Sequence, residues 1–168
     1  MNKVVEKALN EQVNKEAASS QLYLSMAVWS EVNGLGGISE FLYAHSDEER
    51  QHMLKLIKFI NERGGEAKIG SLEVPMQQFK SVEDVFNTLL NHEIMVTESI
   101  NELVFTCLQE KDYTTHNFMQ WFVAEQLEEE ALARSIMDKI KMIGADKGGL
   151  YLFDRDINNI QAVNNTQI

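Results

Sequence analysis

At 168 residues with 44% hydrophobic content, the chain suits one domain with a core large enough to fold without staples. A formal charge of -11 disfavours DNA and anionic membrane as direct partners, because both reward Lys and Arg clusters that this sequence lacks, and neither nucleic acid nor membrane is expected; a surface of this sign attracts cations. Nine glycines, one proline and an abundance of Leu, Glu, Ala, Lys and Gln predict an all-α chain with almost no sheet. The single cysteine, Cys107, excludes an internal disulfide framework and any paired-cysteine metal motif. The amino terminus, MNKVVEKALNEQ, has neither an apolar core region nor arginine-rich transit character. No run approaches the roughly 18 apolar residues of a membrane span. A cytoplasmic location is the expectation.

In chain order, apolar residues recur at helical spacing over 2–32 through Val5, Leu9, Val13, Ala17, Tyr23, Leu24 and Ala27. The break at Asn33-Gly34-Leu35-Gly36-Gly37 ends this first helix. A second is predicted over 38–63, with Ile38, Phe41, Leu42, Leu56, Phe59 and Ile60 on its inner face, stopping at Gly64-Gly65. Residues 66–80 carry the only proline, Pro75, and show no sustained period; they read as a long crossover. Ser81 with Asp84 resembles a capping box in its looser, Asp-containing form and starts a third helix running to 111. Its stripe is Val82, Phe86, Leu89, Val96, Ile100, Val104 and Cys107. A turn is expected at Asp112-Tyr113-Thr114. The fourth helix, 115–143, carries Phe118, Phe122, Leu132, Ile136, Ile140 and Ile143 and ends at Gly144. Lys147-Gly148-Gly149 reads as a second hinge, 150–160 as a short fifth helix, and 164–168 as a frayed end.

Four helices of roughly 26 to 31 residues, each about 40 Å long or slightly more, joined short, long, short, predict two antiparallel hairpins linked by one crossover along the bundle. The bundle occupies 1–145, and 146–168 forms a hinge, short helix and tail of the same domain.

Each inner stripe is interrupted by carboxylate near its middle. The first passes through Glu16, the second through Glu49 and His52, the third through Glu93, and the fourth through Glu125 and Glu129, flanked by Gln126 and Glu128. Glu49 and His52 are three apart, one turn from each other on a helix face. The bundle brings Glu16, Glu49, Glu93 and Glu129 to about one level, where they repel and desolvate one another unless protonated or paired with cations. Oxygen ligands with a single imidazole favour iron or manganese over structural zinc. A carboxylate such as Glu49, flanked by ligands from other helices, can bridge two ions roughly 3.5 to 4 Å apart.

At these residues the chain resembles the bacterial non-heme ferritins over nearly its whole length. The matching stretches are NEQVNKE around Glu16, EERQHM around Glu49, NHE at Glu93, AEQLEEE at 124–130 and GLYLFDRD in the tail. The resemblance implies a ferritin-like four-helix bundle, a ferroxidase that oxidises Fe(II) with dioxygen or hydrogen peroxide, and a homo-oligomeric cage of 24 subunits that stores ferric iron. By position, it implies Glu16 and His52 with bridging Glu49 at the first iron, Glu93 and Glu129 with Glu49 at the second, and Gln126 beside the second. A third, cavity-side iron site corresponds to Glu48, Glu125, Glu128 and Glu129. Tyr23 matches the family's tyrosine beside the centre, an electron donor or hydrogen-bond partner. The fourth helix offers Gln126 and Glu129 where bacterioferritins and rubrerythrins carry a second Glu-x-x-His. Arg50 follows Glu49 where bacterioferritins carry the heme-ligating methionine, so no heme is expected.

Simpler readings compete with these. A single inward Glu is ordinarily a surface residue, and it is the coincidence of four with a histidine that points to metal. His45 reads either as a partner of the site or as a packed core histidine; His92 and His116 read as solvent-side, Cys107 as an inert buried thiol, Tyr23 and Trp121 as candidates for simple packing, and Glu130 as solvated. Asn33 to Gly37 lacks the Lys-Ser/Thr of a phosphate loop, and Asp154-Arg155-Asp156 lacks the glycine and distal Glu of an EF-hand. Two other functional classes fit the same residues: a di-iron peroxidase or oxygenase acting on an organic substrate, and a non-catalytic cage subunit.

Overall fold

Asn2 opens the first helix: its side-chain oxygen accepts the Val4 amide at 2.8 Å, and α1 runs Lys3–Val32. The computed structural model describes residues 1–164, with side chains as far as residue 160. The second helix, α2 (Gly36–Glu62), begins two residues before the predicted start. Its N-cap, Leu35, offers no capping side chain. The cap comes from the last helix, α5 (Lys147–Asn164): Asp154 Oδ1 accepts the Ile38 amide at 2.8 Å and Asn158 Nδ2 donates to the Gly37 carbonyl at 3.2 Å. A cap supplied from the far end of the chain leaves no local signal, hence the misplaced boundary.

The crossover has no regular structure and lies along α1. Asn10 Nδ2 donates to the Glu66 carbonyl at 3.1 Å, Asn10 Oδ1 accepts the Lys68 amide at 2.6 Å, and Asn14 Oδ1 accepts the Gly70 amide at 3.1 Å. Farther on, Ser25 Oγ donates to the Met76 carbonyl at 2.6 Å, and Phe79 meets Trp29 edge to face at 5.9 Å. Residues 66 to 79 therefore track α1 from Asn10 to Trp29, the traverse a one-crossover bundle requires.

Ser81 caps α3 (Val82–Gln109), its Oγ accepting the Asp84 amide at 3.1 Å. The reciprocal half of the box is displaced by one residue, since the Asp84 carboxylate accepts the Lys80 amide at 2.9 Å. The turn predicted at 112–114 lies one to two residues earlier. Lys111 takes a left-handed backbone, φ 56°, and Asp112 is already the N-cap of α4 (Tyr113–Ile143), accepting from the Thr115 amide at 3.0 Å and hydroxyl at 2.8 Å. Arg63 Nη2 reaches both Asp112 oxygens at 2.9 and 3.1 Å, tying the end of α2 to this turn. The predicted hinge at 147–149 is instead the first turn of α5, capped by Asp146 through the Gly148 and Gly149 amides; the bend falls at Gly144 to Asp146. Of the predicted frayed end, Asn164 closes α5, and 165–168 lie outside the described residues.

α1 packs chiefly on α2 and α3 on α4, with α1 also against α3, and α5 resting on α2 and α4. The core these faces bury is in two parts. One cluster gathers Tyr23, Phe41, Leu42, Phe86, Ile136 and Phe153; the other gathers Leu9, Val13, Leu56, Ile100, Met119 and Phe122. Leu24, placed inward by the periodicity, is 38% exposed, and Leu103 rather than Val104 fills the α3 stripe. Phe59 and Phe118 are half-buried and stack on each other at 3.7 Å.

Gly37 is where α2 and α5 come closest: a Cβ there would lie 1.7 Å from the Asp154 carbonyl oxygen. Gly37→Ala therefore forces α5 off α2, and overpacking of this kind costs roughly 1–3 kcal/mol. Thermal unfolding should show a midpoint lower by about 2–4 °C per kcal/mol lost. An unchanged midpoint would mean that α5 is not seated as described.

Candidate metal centre

Between the two apolar clusters lies a belt of buried polar side chains contributed by all four long helices: Glu16, Ser19 and Ser20 from α1, His45, Ser46, Glu49 and His52 from α2, Glu93 from α3, and Gln126 and Glu129 from α4. A pair of serines sets the spacing of α1 and α2 at this level. Ser20 Oγ donates to the Ser46 carbonyl and Ser46 Oγ to the Ser20 carbonyl, both at 2.7 Å. Side chains this small let the backbones approach closely. Ser20 lies one turn after Glu16 and Ser46 one turn before Glu49, so the clasp brings those carboxylates face to face.

Glu16, Glu49 and His52 form one compact group, with donor atoms within 4.8 Å of one another. His52 Nδ1 is 3.5 Å from Glu49 Oε2 and 3.9 Å from Glu16 Oε2. Burial raises the Glu16 carboxyl well above its usual range, and the neighbouring Glu49 charge adds to the rise. Burial likewise pushes Glu49 up to about 8, with the charge of Glu129 contributing.

Glu93 and Glu129 stand on the opposite pair of helices. The Tyr23 hydroxyl donates to Glu93 Oε1, and Gln126 Nε2 donates to Glu93 Oε2 at 2.9 Å. Glu93 lies outside the compact donor groups found among the described residues. Burial, reinforced by the charge of Glu129, raises its carboxyl to about 8. Glu129 behaves in the opposite way: burial alone would raise it, but His45 beside it outweighs burial and holds the carboxyl below its usual value. The ion pair is 3.4 Å long, and Glu129 in turn holds the His45 imidazole above its usual value against the effect of burial. His45 thus fulfils both sequence readings, pairing with Glu129 while stacking on Phe41 at 4.3 Å.

Two further donor groups extend from the first: His45, Glu48 and Glu129, and Glu48, His52 and Glu125. Glu48 and Glu125 are half-buried, and burial raises both carboxyls. Glu128, also half-buried, lies in neither group. The second group opens on a pocket shared with Gln51, Lys55 and Trp121. Trp121 is 38% exposed, meets His52 edge to face at 5.2 Å, and carries the Lys55 ammonium 3.1 Å above its ring.

His92, read as solvent-side, is half-buried against Tyr23 and Ser19, and burial lowers its pKa to about 4. His116 is half-buried too. Cys107 is fully buried in the lower core cluster, where burial pushes its thiol up to about 11 and leaves it inert. Glu130 pairs with Arg134 and is only partly solvated.

A cation roughly 2.1 Å from each oxygen or nitrogen separates adjacent ligand atoms by about 3 to 4 Å, the spacing seen in the Glu16–Glu49–His52 group. All the donors are carboxylate or imidazole, a set that suits divalent iron or manganese. The ferritin-like domain family matches residues 6–143. The bacterial non-heme ferritin of Campylobacter jejuni is 50% identical over 160 residues, covering 95% of this chain and 96% of that protein. The chain belongs to the bacterial non-heme ferritin family. A probable bacterial non-heme ferritin-like protein of Haemophilus influenzae is 46% identical over 156 residues, 93% of this chain and 94% of that one. Among solved structures, the open pore ferritin of the hyperthermophilic archaeon Archaeoglobus fulgidus superposes with a TM-score of 0.92 at 42% identity, over 93% of this chain and 96% of that one. Chlorobium tepidum ferritin superposes with a TM-score of 0.84 at 43% identity, over 94% and 97% of the two chains.

In this ferritin-like bundle burial raises the proton affinity of the belt's carboxyls. Glu49 and Glu93 hold protons in the folded state up to about pH 8, whereas the unfolded chain releases them near 4.5. Their contribution to stability is therefore complete below about pH 4.5 and is lost as the pH rises toward 8. The metal-free protein should show a thermal midpoint that falls across this interval, and Glu49→Gln should flatten the fall. Addition of a divalent cation at pH 7 should release protons, measurable as a calorimetric heat that depends on buffer ionisation; a buffer-independent heat would show that the carboxyls are already ionised.

Proposed function

We infer that the chain is a ferroxidase subunit of an iron-storing cage, oxidising Fe(II) at the belt in the middle of the bundle and passing Fe(III) to the cage interior. The observation that carries this reading is the buried Glu16–Glu49–His52 group facing Glu93 and Glu129 inside a ferritin bundle. Fe(II) is the substrate. Glu16 and His52 take one ion, Glu93 and Glu129 take a second, and Glu49 lies between them as the shared carboxylate. Gln126 stays beside the second ion, its amide holding Glu93.

A pair of Fe(II) ions supplies the two electrons that, with two protons, take dioxygen to hydrogen peroxide. The residues contribute by placement and charge: carboxylates that bind Fe(II) bind Fe(III) more strongly, so the donor set favours the oxidised metal. Tyr23 keeps Glu93 oriented and stands ready as an electron donor. Glu48, Glu125, Glu128 and Glu129 supply a third site for iron on its way to the interior, and His45 belongs with them because it shares a donor group with Glu48 and Glu129. The assembly is a homo-oligomer of 24 subunits in the cytoplasm, with dioxygen or hydrogen peroxide as oxidant. No helix among the described residues is long and apolar enough to cross a membrane.

Stopped-flow mixing of anaerobic Fe(II)-loaded protein with dioxygen tests this reading. The wild type should bind at least two Fe(II) per chain and oxidise them rapidly, while Glu49→Ala and His52→Ala slow oxidation by at least about tenfold, the usual scale for loss of a metal-site residue. Unchanged rates in both variants would refute the assignment. Light scattering should find a particle of many subunits, and a species no larger than a dimer would end the cage reading.

A further inference from the structure

A polarised chain of hydrogen bonds joins the surface to one carboxylate of the centre. Exposed Lys15 on α1 donates from Nζ to Ser99 Oγ on α3 at 2.5 Å. Ser99 Oγ donates to Gln12 Oε1 at 2.5 Å, and Gln12 Nε2 donates to Glu16 Oε1 at 2.7 Å. Gln12 is 1% exposed and Ser99 half-buried, so water does not substitute freely for these partners.

The direction of the chain follows from what each group can donate. An ammonium has donors only, so Ser99 must receive the Lys15 proton and turn its own single hydroxyl proton onward. The acceptor it meets on Gln12 is the amide oxygen. That leaves the amide NH2 facing Glu16. In this orientation the Ser99 hydroxyl proton meets the amide oxygen and the amide NH2 meets Glu16 Oε1, so each donor along the chain finds an acceptor.

The two oxygens of Glu16 are thereby given different work. Oε1 is occupied by Gln12, and Oε2 is the oxygen that faces His52 Nδ1. We propose that Gln12 is a positioning residue for iron: it holds Glu16 in a one-oxygen presentation toward the His52 side of the centre, and Ser99, polarised by Lys15, sets the orientation of its amide. The proposal rests on the reading of Glu16 as an iron ligand. It assigns a role to three residues that touch no metal donor except through Glu16, and one of them is a surface lysine on a different face of α1 from the ligand.

The test is Co(II) titration of the assembled metal-free protein, followed by calorimetry and by the visible absorption of bound Co(II), which reports ligand number and geometry. Gln12→Leu should weaken the site containing His52 by about tenfold or more and shift its absorption, while the other Co(II) binds within about twofold of wild type. Ser99→Ala should move affinity and spectrum in the same direction by less, and Ser99→Thr, which keeps the hydroxyl, should restore both. Wild-type affinity and spectrum in Gln12→Leu would overturn the proposal, as would a failure of Ser99→Thr to recover what Ser99→Ala loses. If Gln12→Leu does not assemble, the Ser99 pair decides the question alone. Glu16→Ala separates this proposal from the reading beneath it: loss of one Co(II) supports Glu16 as a ligand, whereas retention of both would refute the ligand reading itself.

Discussion

Four carboxylates buried halfway along four apolar helices set the terms for the rest of this molecule, because an ionised group removed from water costs several kcal/mol unless something pairs with it. Glu16, Glu49, Glu93 and Glu129 are each at most 6% exposed, and the belt they form divides the core into an upper and a lower cluster. The apolar halves supply the stability that lets the belt exist. Leu9, Leu56 and Ile100 on one side and Phe41, Leu42 and Phe86 on the other are fully or almost fully buried and clamp the helices at both ends of the polar level. Without those two clamps, helices burying polar groups at mid-length would separate there first.

The belt is not electrostatically uniform. Three of its carboxyls are driven upward by burial and by one another, so the metal-free centre holds protons in place of cations. Glu129 is the exception, kept ionised by His45. The metal-free centre therefore combines one buried His45–Glu129 ion pair with carboxyls whose affinity for protons is raised.

Neutral hydrogen bonds do the remaining alignment. The Ser20–Ser46 clasp sets the gap between α1 and α2, Tyr23 and Gln126 hold the two oxygens of Glu93, and Gln12 takes one oxygen of Glu16. Each is worth about 1 kcal/mol to stability by itself. Their larger effect is geometric, since each bond fixes the orientation in which its carboxylate presents its remaining lone pairs.

Helix count, hairpin pairing, the long crossover and the inward carboxylates of the centre were all legible in the sequence, because they follow from apolar residues repeating at the period of a helix and from polar residues interrupting that repeat at matched depth. Even the first ligand pair could be read, since Glu49 and His52 lie one turn apart on the same helix. What lay beyond reach were partnerships between segments far apart in the chain. The start of α2 depends on Asp154, the capping of α4 on an Asp112 that Arg63 also grips, the state of Glu129 on His45, and the aim of Glu16 on a serine of α3. By itself the sequence determined the main buried face of each long helix and the four carboxylates that interrupt it, though not the partial burial of His92 and His116, because periodicity along one helix dictates its inner face and not what neighbouring helices cover at its margins. Which oxygen faces which nitrogen, and hence which carboxyl keeps its charge, was decided only when four helices met, because hydrogen bonds and desolvation depend on distances of a few ångströms that no spacing along a single chain can specify.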